Sequence, residues 1–175
     1  DEMAIRGDYL GMTLTVDDLD IENLEFFRHC AEHDFHLQAC AQCGRLRYPP
    51  TTACPWCAAL ESTWKRVEGK GAVHSYSEVH HAIQPAFRGH TPYLILLVDL
   101  DTQKGEPTPE EALRVVGNLC TPDSQLAPAD QVRQVGIGTR VRMVFSDVAP
   151  GLALPQWTID TTTPQPANIW RYPQE

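Results

Sequence analysis

The chain has 175 residues, of which 42% are hydrophobic and 21% charged, with 11 glycines and 14 prolines. This composition is typical of a globular protein rich in turns and excludes disorder throughout. The longest apolar run, Tyr93 to Val98, is far below the roughly 20 residues of a membrane-spanning helix. The net charge of −9 disfavours non-specific binding to nucleic acid, because like charges repel.

The first segments in chain order are an arm and a helix. Residues 1–17 show no convincing periodicity and are expected to form an acidic arm. In residues 18–35, apolar residues recur at helical spacing behind Asp18 or Asp20, either of which is a suitable N-cap. The start of the chain lacks the basic and apolar stretches of a secretory signal, so we expect a cytoplasmic location.

The next segment, residues 36–68, carries the strongest motif in the sequence. Four of the six cysteines are spaced C-x2-C-x10-C-x2-C, namely Cys40, Cys43, Cys54 and Cys57. Each C-x2-C can point two thiolates at one centre, and four sulfurs at about 2.3 Å complete a tetrahedron around Zn²⁺. The spacing therefore predicts a zinc ribbon with one structural Zn²⁺ per chain, whose four thiolates leave no position for substrate.

Other chemistries of the cysteine motif are less favoured. Two disulfides are unexpected in a protein without a secretory signal. A redox C-x-x-C requires a βαβ context, which the surrounding pattern lacks. An iron site of the rubredoxin type is the main rival to zinc.

Beyond the ribbon, the pattern changes to strands separated by Gly, Pro and Asp clusters. Five strands are predicted, at residues 71–81, 93–99, 113–120, 138–146 and 154–159. Five short strands in about 100 residues are typical of a small Greek-key barrel such as an OB-fold. The predicted fold is thus mainly β, with an N-terminal helix, a rubredoxin-like zinc ribbon, an OB-fold barrel over residues 69–160 and an extended tail at 161–175.

The order of these motifs resembles one known family. A helix with ENLEFFRHC, the ribbon CAQCGRLRYPPTTACPWC, then WKRVEGKGAVHSYSEVHH, PYLILLVDL, RVVGNL, VGIGTRVRMVF and LPQW resembles the domain of unknown function 35 family, acyl-CoA-associated proteins with a zinc ribbon and an OB-fold. The resemblance covers roughly residues 20–160. The acidic arm and the polar loop at residues 103–112 depart from the family pattern.

The resemblance implies an accessory subunit. Members of the family typically bind thiolase-like or lipid-transfer-type enzymes, including acyltransferases and aldolases that cleave steroid side chains as CoA thioesters. The catalytic residues of such complexes usually lie on the partner, so no catalytic residue is assigned here. We expect the barrel to position the partner or help enclose acyl-CoA.

Two further groups of residues are candidates for binding. Basic side chains of the ribbon are candidates for phosphate or partner contacts: Arg45, Arg47, Lys65 and Arg66. Aromatic side chains are candidates for a ligand or an interface, with core packing as the alternative: Phe26, Phe27, Tyr76, Phe87 and Tyr93. The histidines are expected to lie mainly on solvated or interfacial faces.

Two other functions remain open from the sequence. Ribbons and OB-folds also bind single-stranded nucleic acid, although the chain lacks a basic, aromatic-rich face. An independent CoA-dependent enzyme is the other possibility, although the sequence has no G-x-S-x-G, glycine-rich phosphate loop or H-E-x-x-H.

Overall fold

The computed structural model describes residues 4–173, and this part of the chain is mainly β, which confirms the predicted fold class. It divides into two compact units. One contains the described residues up to Glu68 together with Asp147–Leu154, and the other contains Gly69–Ser146 and the described residues from Pro155 onward. None of the described helices is long and apolar enough to cross a membrane.

The first unit begins with a β-hairpin where the sequence analysis expected an arm without regular structure. Strands β1 (Ile5–Tyr9) and β2 (Met12–Val16) pair antiparallel. The connecting residues Leu10 and Gly11 have φ values of 53° and 80°, as a two-residue hairpin turn with right-handed strand twist requires. The alternation of threonine with apolar residues in β2 is the signal that could have predicted this hairpin.

Helix α1 spans Ile21–Ala31 and is shorter than the predicted segment. The carboxylate of Asp20 accepts a hydrogen bond from the backbone N–H of Asn23 at 3.3 Å, which confirms this residue as the N-cap. The helix ends because His33 adopts a left-handed conformation, with φ of 55°. Its buried face includes Phe26 and Cys30.

A three-stranded antiparallel sheet follows α1. Its central strand β3 (His36–Cys40) lies between β4 (Leu46–Arg47) and β5 (Ser62–Arg66). In this register Cys40 is the last residue of β3 and faces Ser62 of β5. The sheet thereby places the first cysteine knuckle at the end of its central strand.

Most of the five-stranded sheet predicted from the sequence lies in the second unit. The strand order is β10-β9-β6-β7-β8, with a 3-10 helix at Pro85–His90 after β6 and a short helix α2 at Ala129–Val132 after β8. The strands are β6 (Lys70–Val79), β7 (Tyr93–Leu100), β8 (Arg114–Asn118), β9 (Arg140–Ala149) and β10 (Leu152–Ile159).

The two outermost strands of this sheet, β8 and β10, are connected by hydrogen bonds of the residues that directly follow β8. Leu119 forms a parallel bridge with Trp157 of β10, and the N–H of Cys120 donates to the carbonyl of Trp157 at 2.6 Å. Trp157 is fully buried and donates through Nε1 to the carbonyl of Val115 at 3.3 Å. This closure turns the sheet into a barrel and removes two open edges.

Glycine is required near the start of β6, where this strand pairs with the end of β7. A Cβ atom on Gly71 would lie 2.0 Å from the carbonyl oxygen of Asp99, so no side chain fits there. Two residues later the register of β6 against β7 shifts between Val73 and Ser75, which marks a β-bulge and bends the strand. Gly71 therefore lies where the strand begins to bend.

Candidate functional site

The four cysteines of the C-x2-C pairs meet in the first unit. Their sulfur atoms all lie within 4.8 Å of one another, with Sγ–Sγ distances of 3.5 Å for Cys40 and Cys57 and 3.6 Å for Cys43 and Cys54. These distances are too long for a disulfide of about 2.05 Å. They are close to the separation of about 3.8 Å between sulfurs of a tetrahedron with metal–sulfur bonds of about 2.3 Å. The four thiols therefore fit a single metal ion.

Both knuckles use the same local geometry. The N–H of Gly44 donates to the carbonyl of Cys40 at 3.0 Å, and the N–H of Ala58 donates to the carbonyl of Cys54 at 2.9 Å. Gly44 and Ala58 each follow the second cysteine of their pair and have φ values of 74° and 62°. The left-handed turn folds each C-x2-C back on itself, so that both thiols point the same way.

The thiols of the cluster differ in acidity. The pKa of Cys40 is lowered to about 6, chiefly by a hydrogen bond from the backbone N–H of Cys43, with further contributions from Gln42 and the neighbouring thiols. The backbone N–H of Ala59 lowers the pKa of Cys57, but burial and the neighbouring thiols outweigh it and raise that pKa to about 11. Metal ligation requires deprotonated sulfur, and a bound divalent cation would deprotonate all four.

The donor set determines what a metal here can do. Four thiolates fill a tetrahedral coordination sphere, so the ion has no open position for water or substrate. Cys40, Cys43, Cys54 and Cys57 would hold the ion, and its contribution would be to fix the ribbon. The chemistry of the site is therefore structural.

The other two cysteines lie away from this cluster. Cys30 on α1 and Cys120 after β8 are both fully buried, and burial raises the pKa of each thiol to about 12. A thiol that stays protonated is a poor nucleophile and a poor ligand. Both residues act as small core side chains.

The basic residues of the ribbon do not all lie on the surface. Arg47 is only 2% exposed, and its guanidinium donates to Gln38 Oε1 and to the carbonyl of Thr51. Its expected role as a surface contact is therefore wrong, because the head group is used inside the ribbon. Arg66 is exposed but pairs with Asp34 at 2.7 Å, while Arg45 lies over the ring of Trp56. Lys65 is exposed.

The aromatic candidates likewise separate into core and surface. Phe26 is buried and contacts the rings of Phe35 and Tyr48, with centroids 6.1 and 5.9 Å away. Tyr93 is also buried, so neither of these two candidates is available to a ligand. The remaining three are partly exposed: Phe27, Tyr76 and Phe87.

The histidines make separate contacts. His29 stacks on His36 with ring centroids 3.9 Å apart, and burial, followed by His36, lowers its pKa. His33 lies beyond the end of α1, and its Nε2 is 2.7 Å from the carboxylate of Asp147. His29 and His33 therefore have different environments despite their helical spacing.

The structure also reveals a groove that the sequence analysis missed. It has a volume of about 730 Å³ and lies in the second unit, between β6 and the C-terminal tail. Trp170 and Tyr172 of the tail line it and are 53% and 73% exposed. Tyr76, one of the predicted aromatic candidates, also lines the groove. The two aromatic residues of the polar, proline-rich tail were a further signal in the sequence.

These features define a class of protein with a tetrathiolate ribbon and an OB-fold, and the comparisons agree. Residues 64–146 match the family model described as ChsH2, C-terminal OB-fold domain. The chain is similar to a solved structure described as the Ltp2-ChsH2(DUF35) aldolase. The TM-score is 0.63 and the identity 29%, over 82% of this chain and 98% of that one.

The chain is also similar to two curated proteins. One is the DUF35 domain-containing scaffold protein of Methanocaldococcus jannaschii, 31% identical over 109 residues, 61% of this chain. The other is the probable enoyl-CoA hydratase alpha subunit of Thermomonospora curvata, 33% identical over 136 residues, 77% of this chain. The chain covers 63% of the former and 36% of the latter. It belongs to the domain of unknown function 35 family.

Proposed function

We propose that the chain is an accessory subunit that binds and supports a partner enzyme acting on acyl-CoA thioesters. The observation that carries this proposal is the similarity to the Ltp2-ChsH2(DUF35) aldolase, which extends over 98% of the similar chain. The scaffold protein and the hydratase subunit among the relatives support the same role. We further propose that the partner is a thiolase-like or lipid-transfer-type enzyme that supplies the catalytic residues, in lipid or steroid metabolism.

We propose that the tetrathiolate site holds one structural Zn²⁺. Thiolate ligands with no open position are typical of zinc ribbons, and iron is the rival with the same geometry. In small zinc domains, metal binding contributes on the order of 10 kcal/mol or more to folding. Elemental analysis of the purified protein is expected to give about one zinc per chain. If the analysis instead gives one iron per chain, with strong absorption in the visible range, the site is an iron site of the rubredoxin type.

We propose that the ribbon, residues 36–68, and the N-terminal helical segment, predicted at residues 18–35, supply the main partner contacts. Large apolar side chains are exposed in the first unit: Leu19 by 86%, Ile21 by 72% and Leu60 by 70%. Leu60 follows the second knuckle, so a folded metal site would hold it in a fixed position. Exposed apolar side chains are favoured at protein interfaces. Arg45 and Lys65 remain candidates for a phosphate of CoA or an acidic group of the partner.

Co-expression with a thiolase-like enzyme from the same genome tests the proposal. A stable complex is expected in size-exclusion chromatography, and the activity of the enzyme is expected to depend on this chain. Leu60→Asp should weaken the complex, because it places a charge in an apolar contact. Ile83→Asp is the matched control, since Ile83 is 94% exposed in the second unit. An enzyme that elutes alone with full activity contradicts the proposal.

A further inference from the structure

One edge of β6 is open over half of the strand. β9 pairs with β6 only at Lys70–Ala72, and the last backbone bonds on that side join Val73 to Thr139 and Gly138. From Ser75 to Val79, β6 continues to pair with β7 on its other side. Within residues 4–173, no strand pairs with the outer edge of this part of β6. A free edge about 13 Å long, at about 3.3 Å per residue, remains.

The groove runs along this edge. Its β6 wall includes Ser75, Tyr76, Ser77 and Glu78, and the C-terminal tail supplies the opposite wall. At about 730 Å³, the groove is within the range of known ligand sites, about 300 to 1,000 Å³. Free strand edges are normally covered, charged or distorted, because they pair readily with other chains. Here the groove keeps the edge accessible.

The tail wall is held by backbone and side-chain bonds of its own. Trp170 and Ile137 exchange two backbone hydrogen bonds of 2.8 and 3.1 Å. The N–H of Tyr172 donates to the hydroxyl of Tyr76 at 2.8 Å. A Cβ atom on Gly136 would lie 2.3 Å from the carbonyl oxygen of Trp170, so glycine permits this close approach. The wall is therefore in place before a ligand arrives, which lowers the entropy cost of binding.

The charges around the groove neutralise each other. Arg171 pairs with Glu78 at 2.9 Å, and both side chains are largely buried. The exposed imidazole of His80, which also lines the groove, lies 3.5 Å from the same carboxylate. The guanidinium of Arg171 also donates to the carbonyl of Val132 at 2.7 Å and lies over the ring of Tyr76. Its positive charge is thus already used, and the groove complements an uncharged ligand rather than a phosphate.

We propose that the edge of β6 from Ser75 to Val79 binds an extended, uncharged peptide segment of another protein by strand addition. The backbone of the peptide would hydrogen-bond with β6, and its apolar side chains would pack on Trp170 and Tyr172. Strand addition of this kind gains affinity from main-chain hydrogen bonds and specificity from alternate side chains. The proposal does not depend on which enzyme the subunit supports.

Single-stranded nucleic acid is the other class of ligand that aromatic surfaces of OB-folds attract. It would need cations that follow the phosphates. Arg171, the arginine adjoining the groove, is paired with Glu78, and the chain has a net charge of −9. The charges therefore favour the peptide.

The test uses the full chain and a phage-displayed library of random peptides. Selection is expected to enrich uncharged peptides rich in Val, Ile, Thr and aromatic residues. Synthetic capped versions should bind in fluorescence polarisation, and Trp170→Ala or Tyr172→Ala should each weaken binding about tenfold, or about 1.4 kcal/mol. Ile83→Ala, which removes an exposed apolar side chain outside the groove, should leave the affinity unchanged.

Methylation of alternate peptide nitrogens separates strand addition from apolar adhesion. Only one of the two sets of alternate nitrogens faces β6 in an added strand. Methylation of that set is expected to abolish binding, because the methyl groups block the bonds to β6, whereas methylation of the other set should not. Equal binding of both methylated forms would overturn the proposal. So would a selection that enriches no more peptide on the parent protein than on a Trp170→Ala, Tyr172→Ala double variant with a native circular dichroism spectrum. Displacement of the peptide by oligo(dT) with a steep salt dependence would assign the groove to nucleic acid. A chain that binds peptide but no thiolase-like enzyme would leave this proposal standing and refute the proposed function.

Discussion

The side-chain oxygen of Gln38 accepts two hydrogen bonds, one from Nε of Arg47 at 3.1 Å and one from the backbone N–H of Thr51 at 2.8 Å. Arg47 closes the network by donating through Nη2 to the carbonyl of Thr51 at 3.0 Å. Gln38 lies on β3, Arg47 lies on β4, and Thr51 precedes the second knuckle at Cys54. One buried amide therefore links the central strand of the ribbon to the segment that delivers the third metal ligand.

Replacing Gln38 with leucine should destabilise the first unit by about 2 to 3 kcal/mol. The change removes the acceptor of two donors, Nε of Arg47 and the backbone N–H of Thr51, and unsatisfied buried groups cost more than the bond itself contributes. The bond from Nη2 of Arg47 to the carbonyl of Thr51 remains. Urea denaturation of the metal-loaded protein measures the loss. Gln42→Leu is the control, because Gln42 is exposed and should change stability by less than about 0.5 kcal/mol. Equal effects of both substitutions would show that the network is unimportant.

Removal of one metal ligand should unfold the ribbon and leave the barrel folded. Cys43→Ser is expected to abolish metal binding, because a serine hydroxyl is a poor substitute for a thiolate, and the ribbon has a small apolar core of its own. NMR spectra should then lose the dispersed signals of residues 36–68 and retain those of the second unit. Cys120→Ala is the control, since this buried thiol lies outside the cluster. A Cys43→Ser protein with unchanged spectra and no metal contradicts a structural role for the ion.

Gly71→Ala should destabilise the barrel by about 1 to 3 kcal/mol or more. The added methyl group would lie 2.0 Å from the backbone oxygen of Asp99, and overpacking against backbone forces the strands apart. The matched control is Gly89→Ala, because a Cβ atom at Gly89 would have no heavy atom within 4 Å. Thermal unfolding of both variants, compared with the parent protein, provides the measurement. Similar unfolding temperatures for the two variants would contradict the close approach of β6 and β7.

Asp160 is expected to titrate well below an ordinary aspartate. The side-chain hydroxyl and the backbone N–H of Thr162 donate to its Oδ1 at 2.7 and 2.8 Å, and the hydroxyl bond is the main reason that its pKa is lowered to about 2. Because the pKa of about 3.9 in the unfolded chain is higher, Asp160 stabilises the fold above pH 4. That contribution is lost as the pH falls through about 2.

Thr162→Val tests this assignment by removing the hydroxyl donor. The pKa of Asp160 should rise toward 3.9, which an NMR titration of its carboxyl carbon measures directly. Thr161→Val is the control, because Thr161 is exposed and adjacent in sequence. The assignment is wrong if Thr162→Val leaves the titration of Asp160 unchanged.

Local patterns predicted most of the elements. Spacing alone indicated that Cys40, Cys43, Cys54 and Cys57 act together, because a C-x2-C turn is a local structure. The five barrel strands were recognisable from short apolar runs between turn residues. The hairpin at the start of the chain was missed, although the alternation in β2 and Gly11 at its turn are also local signals. The end of α1 was placed too late, because the left-handed conformation of His33 has no glycine to mark it.

The sequence by itself determined a tetrathiolate site and a barrel of five strands, since both depend on spacing between residues that are near in the chain. Tertiary structure alone decided that Arg47 is buried while Lys65 is exposed, and that Trp170 lies beside Ile137. It also decided which edge of β6 stays open. These properties depend on which distant segments pair and pack, and side-chain burial follows from that packing rather than from the chemical type of the residue.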